Sequence, residues 1–171
     1  IRRCNVYHIK MDISIGNGYD THPLIEGESL ILGGVQISHY KGTQGHSDGD
    51  ALTHSIIDSI LGATNLGDIG ALFPSNDKNL AGVSSLHLLS EVMDIINKKS
   101  YKILNSDSTI ILEKPIIKNY IPAIKESLAK SLFLPIKKVS VKATTNDGLG
   151  FIGKEEGISV LSTILICRES E

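Results

Sequence analysis

Apolar residues recur at helical spacing in three stretches of the chain. Between Asp50 and about Ala63, the residues Leu52, Ile56, Ile57, Ile60, Leu61 and Ala63 form one stripe, and Ser47, Asp48 or Asp50 is available to cap its start. A second predicted helix runs from about Ser85 to Lys98, with Leu88, Leu89, Val92, Met93, Ile95 and Ile96 inward and Ser84 as its cap. Pro122 suits the first turn of a third, ending near Phe133, because its missing N–H needs no partner there. Polar–apolar alternation over 12–17 predicts a short strand ending in glycine, with 18–23 as its exit loop. Residues 30–37 read as an extended pair around Gly33-Gly34, and 38–48 as polar loop. Strands are predicted at 107–113, 138–145 and 157–167, and 67–77 as a long loop of the kind that carries function. The order β-β-α-α-β-α-β-β predicts an α+β two-layer sandwich, a mixed β-sheet with helices on one face. The last strand, Ile158 to Ile166, is too apolar to leave its other face to water, which predicts an oligomer.

A chain of 171 residues, without internal repeat or linker, suits one domain. A formal net charge of -2 gives no general attraction to nucleic acid or an anionic membrane. A phosphate-bearing ligand therefore needs local positive charge, from metal ions or backbone amides. No apolar run approaches the roughly 20 residues that span a bilayer. Cys4 and Cys167, near the two ends and away from the candidate ligands, predict a reducing compartment rather than a disulfide framework. Residues 1–10 read as a residual N-terminal extension, with 11–171 as the domain. Arg2, Arg3 and the lack of acid before Asp12 fit the tail of an organellar transit peptide as well as an arbitrary boundary.

The candidate chemistry begins with Asp20 and His22, two apart and so on one side of extended backbone. His54 lies about one turn into the first helix. Two imidazoles and a carboxylate suit Zn²⁺ and leave a fourth position for substrate. Next to them, His46 and Ser47 suit anion binding or acid–base work. Asp58, four residues after His54, is placed to orient that histidine, to bond substrate, or simply to face solvent. Gly67-Asp68-Ile69-Gly70 allows close backbone approach, with one carboxylate to grip hydroxyls. The turn from Ala143 through Thr144, Thr145, Asn146 and Asp147 to Gly150 offers hydroxyls and amides to phosphate. Its carboxylate suits Mg²⁺ or Mn²⁺, with Lys154 as the nearby cation.

These motifs, in order, resemble the 2-C-methyl-D-erythritol 2,4-cyclodiphosphate synthase family over Met11 to Arg168. The resemblance rests on Gly16 to His22, Ile31 to Val35, His46 to Asp50, His54, Leu66 to Gly70, Phe73-Pro74, Lys142 to Thr145 and Gly157-Ile158. It implies a homotrimer with sheets packed around the trimer axis and active sites between subunits. The implied substrate is 4-diphosphocytidyl-2-C-methyl-D-erythritol 2-phosphate, cyclised with release of CMP by a phosphorus–oxygen lyase of non-mevalonate isoprenoid biosynthesis. Asp20, His22 and His54 would hold Zn²⁺. His46, Ser47 and Thr145 would sit against the phosphates, with His46 and Thr145 catalytic. Thr144 and Thr145 would hold the nucleotide, and Leu112 to Lys118 would form the cytosine pocket. Asp68 and Gly70 would grip hydroxyls beside Ile69, and Phe73 to Asp77 would line the methylerythritol phosphate end. Asp147 would approach a second cation, Mg²⁺ or Mn²⁺, and Phe151 and Lys154 would lie near the central cavity and the phosphates.

Five positions depart from the family's usual residues. Asp147 stands for glutamate, Lys154 for arginine, Ser75-Asn76 for Asp-Thr, and Ile116 for lysine. Two other readings use the same residues: a zinc phosphodiesterase that releases linear phosphates, and a nucleotide-binding regulatory trimer without turnover. The pathway and the isoleucine-, lysine- and asparagine-rich composition predict a plastid-type organelle, or otherwise the bacterial cytoplasm.

Overall fold

The computed structural model describes residues 12–74, 76–77 and 80–168. The extension read over residues 1–10, Cys4 and Ser75 lie outside them. Strand β1 (Asp12–Glu26) is followed by a hairpin of β2 (Leu30–Leu32) and β3 (Val35–Ile37), then by β4 (Lys41–Thr43). Helices α1 (Ala51–Ala63), α2 (Ile69–Leu72) and α3 (Ser85–Lys98) precede β5 (Tyr101–Ile111) and α4 (Ile121–Ser131). Strand β6 (Val139–Thr144), the short α5 (Gly150–Gly153) and β7 (Gly157–Arg168) complete the order. The main sheet runs β4-β1-β7-β5-β6, parallel only between β5 and β6. Helices α1, α3 and α4 cover one face, as the patterning predicts.

The first strand corrects the sequence reading. Gly18 to Pro23, expected as an exit loop, stays in register with β7 through the pairs Gly18–Ser162 and Pro23–Gly157. Glycine ends a strand in an unpartnered pattern. Here it marks close backbone approach instead. A Cβ on Gly16 would stand 1.9 Å from the Ser59 carbonyl oxygen, and one on Gly18 1.9 Å from that of Ser55. Helix α1 presents Ser55 and Ser59 to these glycines and lies directly on β1. Beneath it, the Ser55 and Ser162 hydroxyls are 2.7 Å apart, and those of Ser162 and Ser108 2.8 Å. Gly18→Ala would set a methyl against backbone that cannot rotate away. We expect it to lower stability by about 3 kcal/mol, read from urea unfolding, and a change below about 0.5 kcal/mol would refute this packing.

Two strands depart further. Strand β5 starts at Tyr101, not 107, because its buried positions Ile103, Ser106 and Ser108 mix apolar with polar and a bulge between Ile103 and Asn105 breaks the two-residue alternation. Strand β4 lies in the expected polar loop and pairs with Leu24–Glu26 as a three-residue edge. The hairpin forms as expected, with Gly33 (φ 59°) and Gly34 (φ 73°) at its turn.

Asp50 ties that hairpin to α1. Its carboxylate accepts from the backbone N–H of Gly33, Gly34 and Thr53 and from the Thr53 hydroxyl. Complete burial pushes this carboxyl up in pKa, and the four donors oppose it. The sheet's open face carries Ile13, Ile15, Tyr19 and Leu161, each about half exposed or more in the single chain. Cys167 is a buried free thiol.

Candidate active site

Strand β1 supplies two side chains on its helix-covered face, Asp20 and His22, as the two-residue spacing predicts. The close seat of α1 on Gly16 and Gly18 brings His54 against them. Asp20 Oδ2 is 2.8 Å from His22 Nε2 and 3.2 Å from His54 Nδ1. One donor atom from each residue lies within 4.8 Å of the others, a set able to hold a metal ion.

The second nitrogen of each ring is committed elsewhere. His22 Nδ1 donates to the Gln44 carbonyl at 2.7 Å, which leaves Nε2 for the site. His54 Nε2 lies 2.8 Å from Ser85 Oγ and 3.0 Å from Ser47 Oγ, which leaves Nδ1 inward. Burial would raise the Asp20 carboxyl, but hydrogen bonds and charge from His22 and His54 hold it well below the usual carboxylate range. Burial would lower His22, and the bond to Asp20 raises it. Without a cation, a proton on His22 Nε2, 2.8 Å from Asp20 Oδ2, balances the carboxylate. A divalent cation suits the same position, since the donor set is a carboxylate and two imidazole nitrogens aimed at one point.

This set lines one side of a cavity of ≈ 190 Å³ with His46, Ser47, Ile69, Gly70, Phe73, Leu80 and Leu88. The structure thus gathers eight expected residues around one space. Leu88 was legible only as a core position, and nothing in the sequence singled out Leu80. His46 Nε2 donates to the Asp77 carbonyl at 3.0 Å, which ties Asp77 to the rim. Asp68 is the N-cap of α2, its carboxylate accepting from Ala71 N–H at 2.8 Å. Asp58 neither bonds His54 nor faces open solvent. It accepts the Ile69 N–H at 2.7 Å and so fixes the start of the α2 turn, with burial raising its pKa.

The remaining expected residues gather elsewhere. Leu112, Glu113, Pro115 to Lys118, Thr144 and Thr145 surround a second cavity of ≈ 290 Å³. Thr145 Oγ1 is 3.5 Å from Asp147 Oδ1, and Glu113 accepts the Asn146 N–H at 3.1 Å. Phe151 packs beside Gly157, where an added Cβ would stand 2.9 Å from its ring, and Lys154 follows as the C-cap of α5. The cavities share no residue. Register places them at one end of the sheet, since His22 pairs with Ile158, Ser159 with Ile111 and Ile111 with Thr144. Strands β7 and β5 stand between β1 and β6, a separation of roughly 14 Å at normal strand spacing.

The YgbB family model matches residues 13–167. A 2-C-methyl-D-erythritol 2,4-cyclodiphosphate synthase of Clostridium botulinum is 54% identical over 152 residues, 89% of this chain and 98% of that protein. The solved structure of IspF from Plasmodium falciparum in its CDP complex is 38% identical with a TM-score of 0.80, covering 92% of this chain and 97% of that one. The bifunctional IspDF from Campylobacter jejuni is 39% identical with a TM-score of 0.89, and the match spans 92% of this chain but 43% of that longer one. Among the described residues no helix is long and apolar enough to cross a membrane. The chain belongs to the YgbB family, that of the 2-C-methyl-D-erythritol 2,4-cyclodiphosphate synthases.

Proposed function

We propose that the protein converts 4-diphosphocytidyl-2-C-methyl-D-erythritol 2-phosphate to 2-C-methyl-D-erythritol 2,4-cyclodiphosphate and CMP, within non-mevalonate isoprenoid biosynthesis. The observation that carries this reading is the Asp20–His22–His54 set at one wall of a cavity, in a chain whose family performs this chemistry. An oxygen of the 2-phosphate forms a bond to the β-phosphorus. The bond from that phosphorus to the cytidine phosphate breaks, and CMP leaves with the electron pair. No water is consumed and no protein nucleophile is needed.

The three ligands hold Zn²⁺, which supplies Lewis-acid stabilisation of phosphate charge when bound. His46 and Ser47 face the phosphates from the cavity wall, and Thr145 does so from the second cavity. Ile69, Gly70 and Phe73 pack around the methylerythritol end, with Asp68 and Asp77 at its rim. Thr144 and the 112–118 loop hold the cytidine. Asp147 would hold a second cation, Mg²⁺ or Mn²⁺, to neutralise phosphate charge, and Phe151 and Lys154 would lie toward the phosphates and a central cavity. Attack is intramolecular, so alignment of a flexible chain contributes much of the rate.

The two cavities lie across β7 and β5 from each other, which favours, over a site held by one chain alone, a site completed by a partner chain. The exposed Ile13, Ile15, Tyr19 and Leu161 give that chain a surface. A contact of the metal half of one chain with the nucleotide half of the next is heterologous, and such contacts form a ring where the rotation closes. The family resemblance sets that ring at three: a homotrimer with its sheets around the axis and each site between subunits. The Clostridium botulinum relative, at 54% identity over 98% of its length, is bacterial, which favours the bacterial cytoplasm over the plastid-type location.

The test is ³¹P NMR of the Zn²⁺- and Mg²⁺-loaded protein with this substrate. A cyclic diphosphate appearing with CMP is expected. Linear phosphates would instead indicate a zinc phosphodiesterase, and an unchanged spectrum a nucleotide-binding module.

A further inference from the structure

Behind His54 lies a hydrogen-bonded chain that none of the metal-ligating residues explains. Ser85 opens α3 and is fully buried. Its backbone N–H, one of the unsatisfied donors at a helix start, points to Asp48 Oδ2 at 3.0 Å. Its hydroxyl makes a short contact with Asp48 Oδ1 and lies 2.8 Å from His54 Nε2. The Asp50 N–H adds a third donor to the Asp48 carboxylate, at 3.3 Å. The loop bearing Asp48 is pinned to the one preceding α3, because Asp48 N–H donates to the Val83 carbonyl and Gly82 N–H to that of His46. Ser84 holds the N-cap position but makes no side-chain cap bond, so Asp48 caps α3 from outside it.

The direction of the chain follows from what each group can give. A carboxylate accepts and cannot donate. The Ser85 O–H therefore goes to Asp48, and Ser85 Oγ is left as an acceptor. His54 Nε2 must then carry the proton, and the lone pair of His54 falls on Nδ1, the nitrogen that faces Asp20 and His22. Ser47 Oγ receives the Gly49 N–H at 3.4 Å and lies 3.3 Å from Ser85 Oγ, so its O–H has an acceptor there and need not go to His54 Nε2. We propose that Asp48 and Ser85 are positioning residues that set the tautomer and ring orientation of His54 for divalent metal binding. The inference rests on the reading of Asp20, His22 and His54 as metal ligands.

Asp48→Asn tests polarity without removing volume. The Ser85 N–H, at 3.0 Å, holds the amide oxygen more closely than the Asp50 N–H at 3.3 Å on the other side, so the amide NH₂ faces Ser85 Oγ and donates to it. The Ser85 O–H is then released toward His54 Nε2, and the imidazole proton moves to Nδ1, against the metal. Binding of Zn²⁺, measured by chelator competition, is expected to weaken roughly 10- to 100-fold. Ser85→Ala, which cuts the chain but leaves Ser47 Oγ 3.0 Å from His54 Nε2, is expected to weaken it less. In ¹⁵N-histidine NMR of the metal-free protein in mildly alkaline buffer, His54 is expected protonated at Nε2 in the parent and at Nδ1 in Asp48→Asn. A structural role alone would not move that proton. Folded Asp48→Asn protein with affinity within twofold of the parent, or a parent His54 lacking a proton at Nε2, would overturn the proposal. Failure of the parent itself to bind Zn²⁺ would instead refute the metal-site reading.

Discussion

His54→Ala is expected to lose its metal and its turnover together. Three donor atoms within 4.8 Å bind an ion tightly because none has to travel. Two, both on β1, leave an open coordination sphere. A reaction that joins an anionic phosphate to an anionic diphosphate depends on charge neutralisation more than on any proton transfer. We expect CMP release to fall by about 10³-fold or more, equivalent to about 4 kcal/mol of transition-state stabilisation, with Zn²⁺ no longer retained through gel filtration. His46→Ala gives the contrast: its ring bonds the Asp77 carbonyl rather than the ligand set, so metal content stays while turnover falls. Near-parental CMP release from metal-free His54→Ala would show that this cluster is not the catalytic centre.

How legible this was depends on where each residue's partner lies. Helices α1, α3 and α4 each bury one stripe of apolar residues, so their periodicity shows in the chain itself. Gly16 and Gly18 do not announce their role, because glycine signals a strand's end unless the helix that needs the room is known. The early half of β5 hides for a related reason. Its buried positions, Ile103, Ser106 and Ser108, mix apolar with polar across a bulge, and Ser108 finds its partner, Ser162, only in the fold. The ligand set was readable from residue type and spacing, since Asp20 and His22 need only extended backbone and His54 only a helix. Ser85 was not, because its meaning comes from Asp48 and His54, each more than thirty residues away. Asp58 was placed on the correct face but given the wrong partner. Its proximity to His54 is local, whereas Ile69 N–H arrives from the following loop. The nucleotide-side residues were named through family resemblance. Thr144 and Leu112 to Lys118 do converge on one cavity, but their distance from the metal set is a fact of strand order that no local pattern carries.

That distance supports a test of assembly that does not depend on seeing the oligomer directly. His54→Ala lacks the metal half of the proposed site, and Thr144→Ala/Thr145→Ala lacks hydroxyls of the nucleotide half. Each alone is expected to be nearly inactive. If one substrate is held by both halves of the same chain, co-expressing the two variants yields only the sum of two small activities. If each site joins the metal half of one chain to the nucleotide half of the next, some junctions in a mixed ring contain two intact halves. Random assembly of equal amounts makes about a quarter of the junctions intact, so activity should return to about a quarter of the parental value. Light scattering on the same sample is expected to give three times the 18.5 kDa chain mass. The open sheet face explains why the ring should persist at low concentration. Ile13, Ile15, Tyr19 and Leu161 lie on the adjacent strands β1 and β7, and burying such side chains is worth about 1.5–3 kcal/mol each when complete. Charge at this face opposes that gain, so Ile15→Asp should dissociate the ring and abolish turnover while the isolated chain keeps its metal ligands. A monomeric, fully active Ile15→Asp protein would place the whole reaction on one chain and refute the shared site.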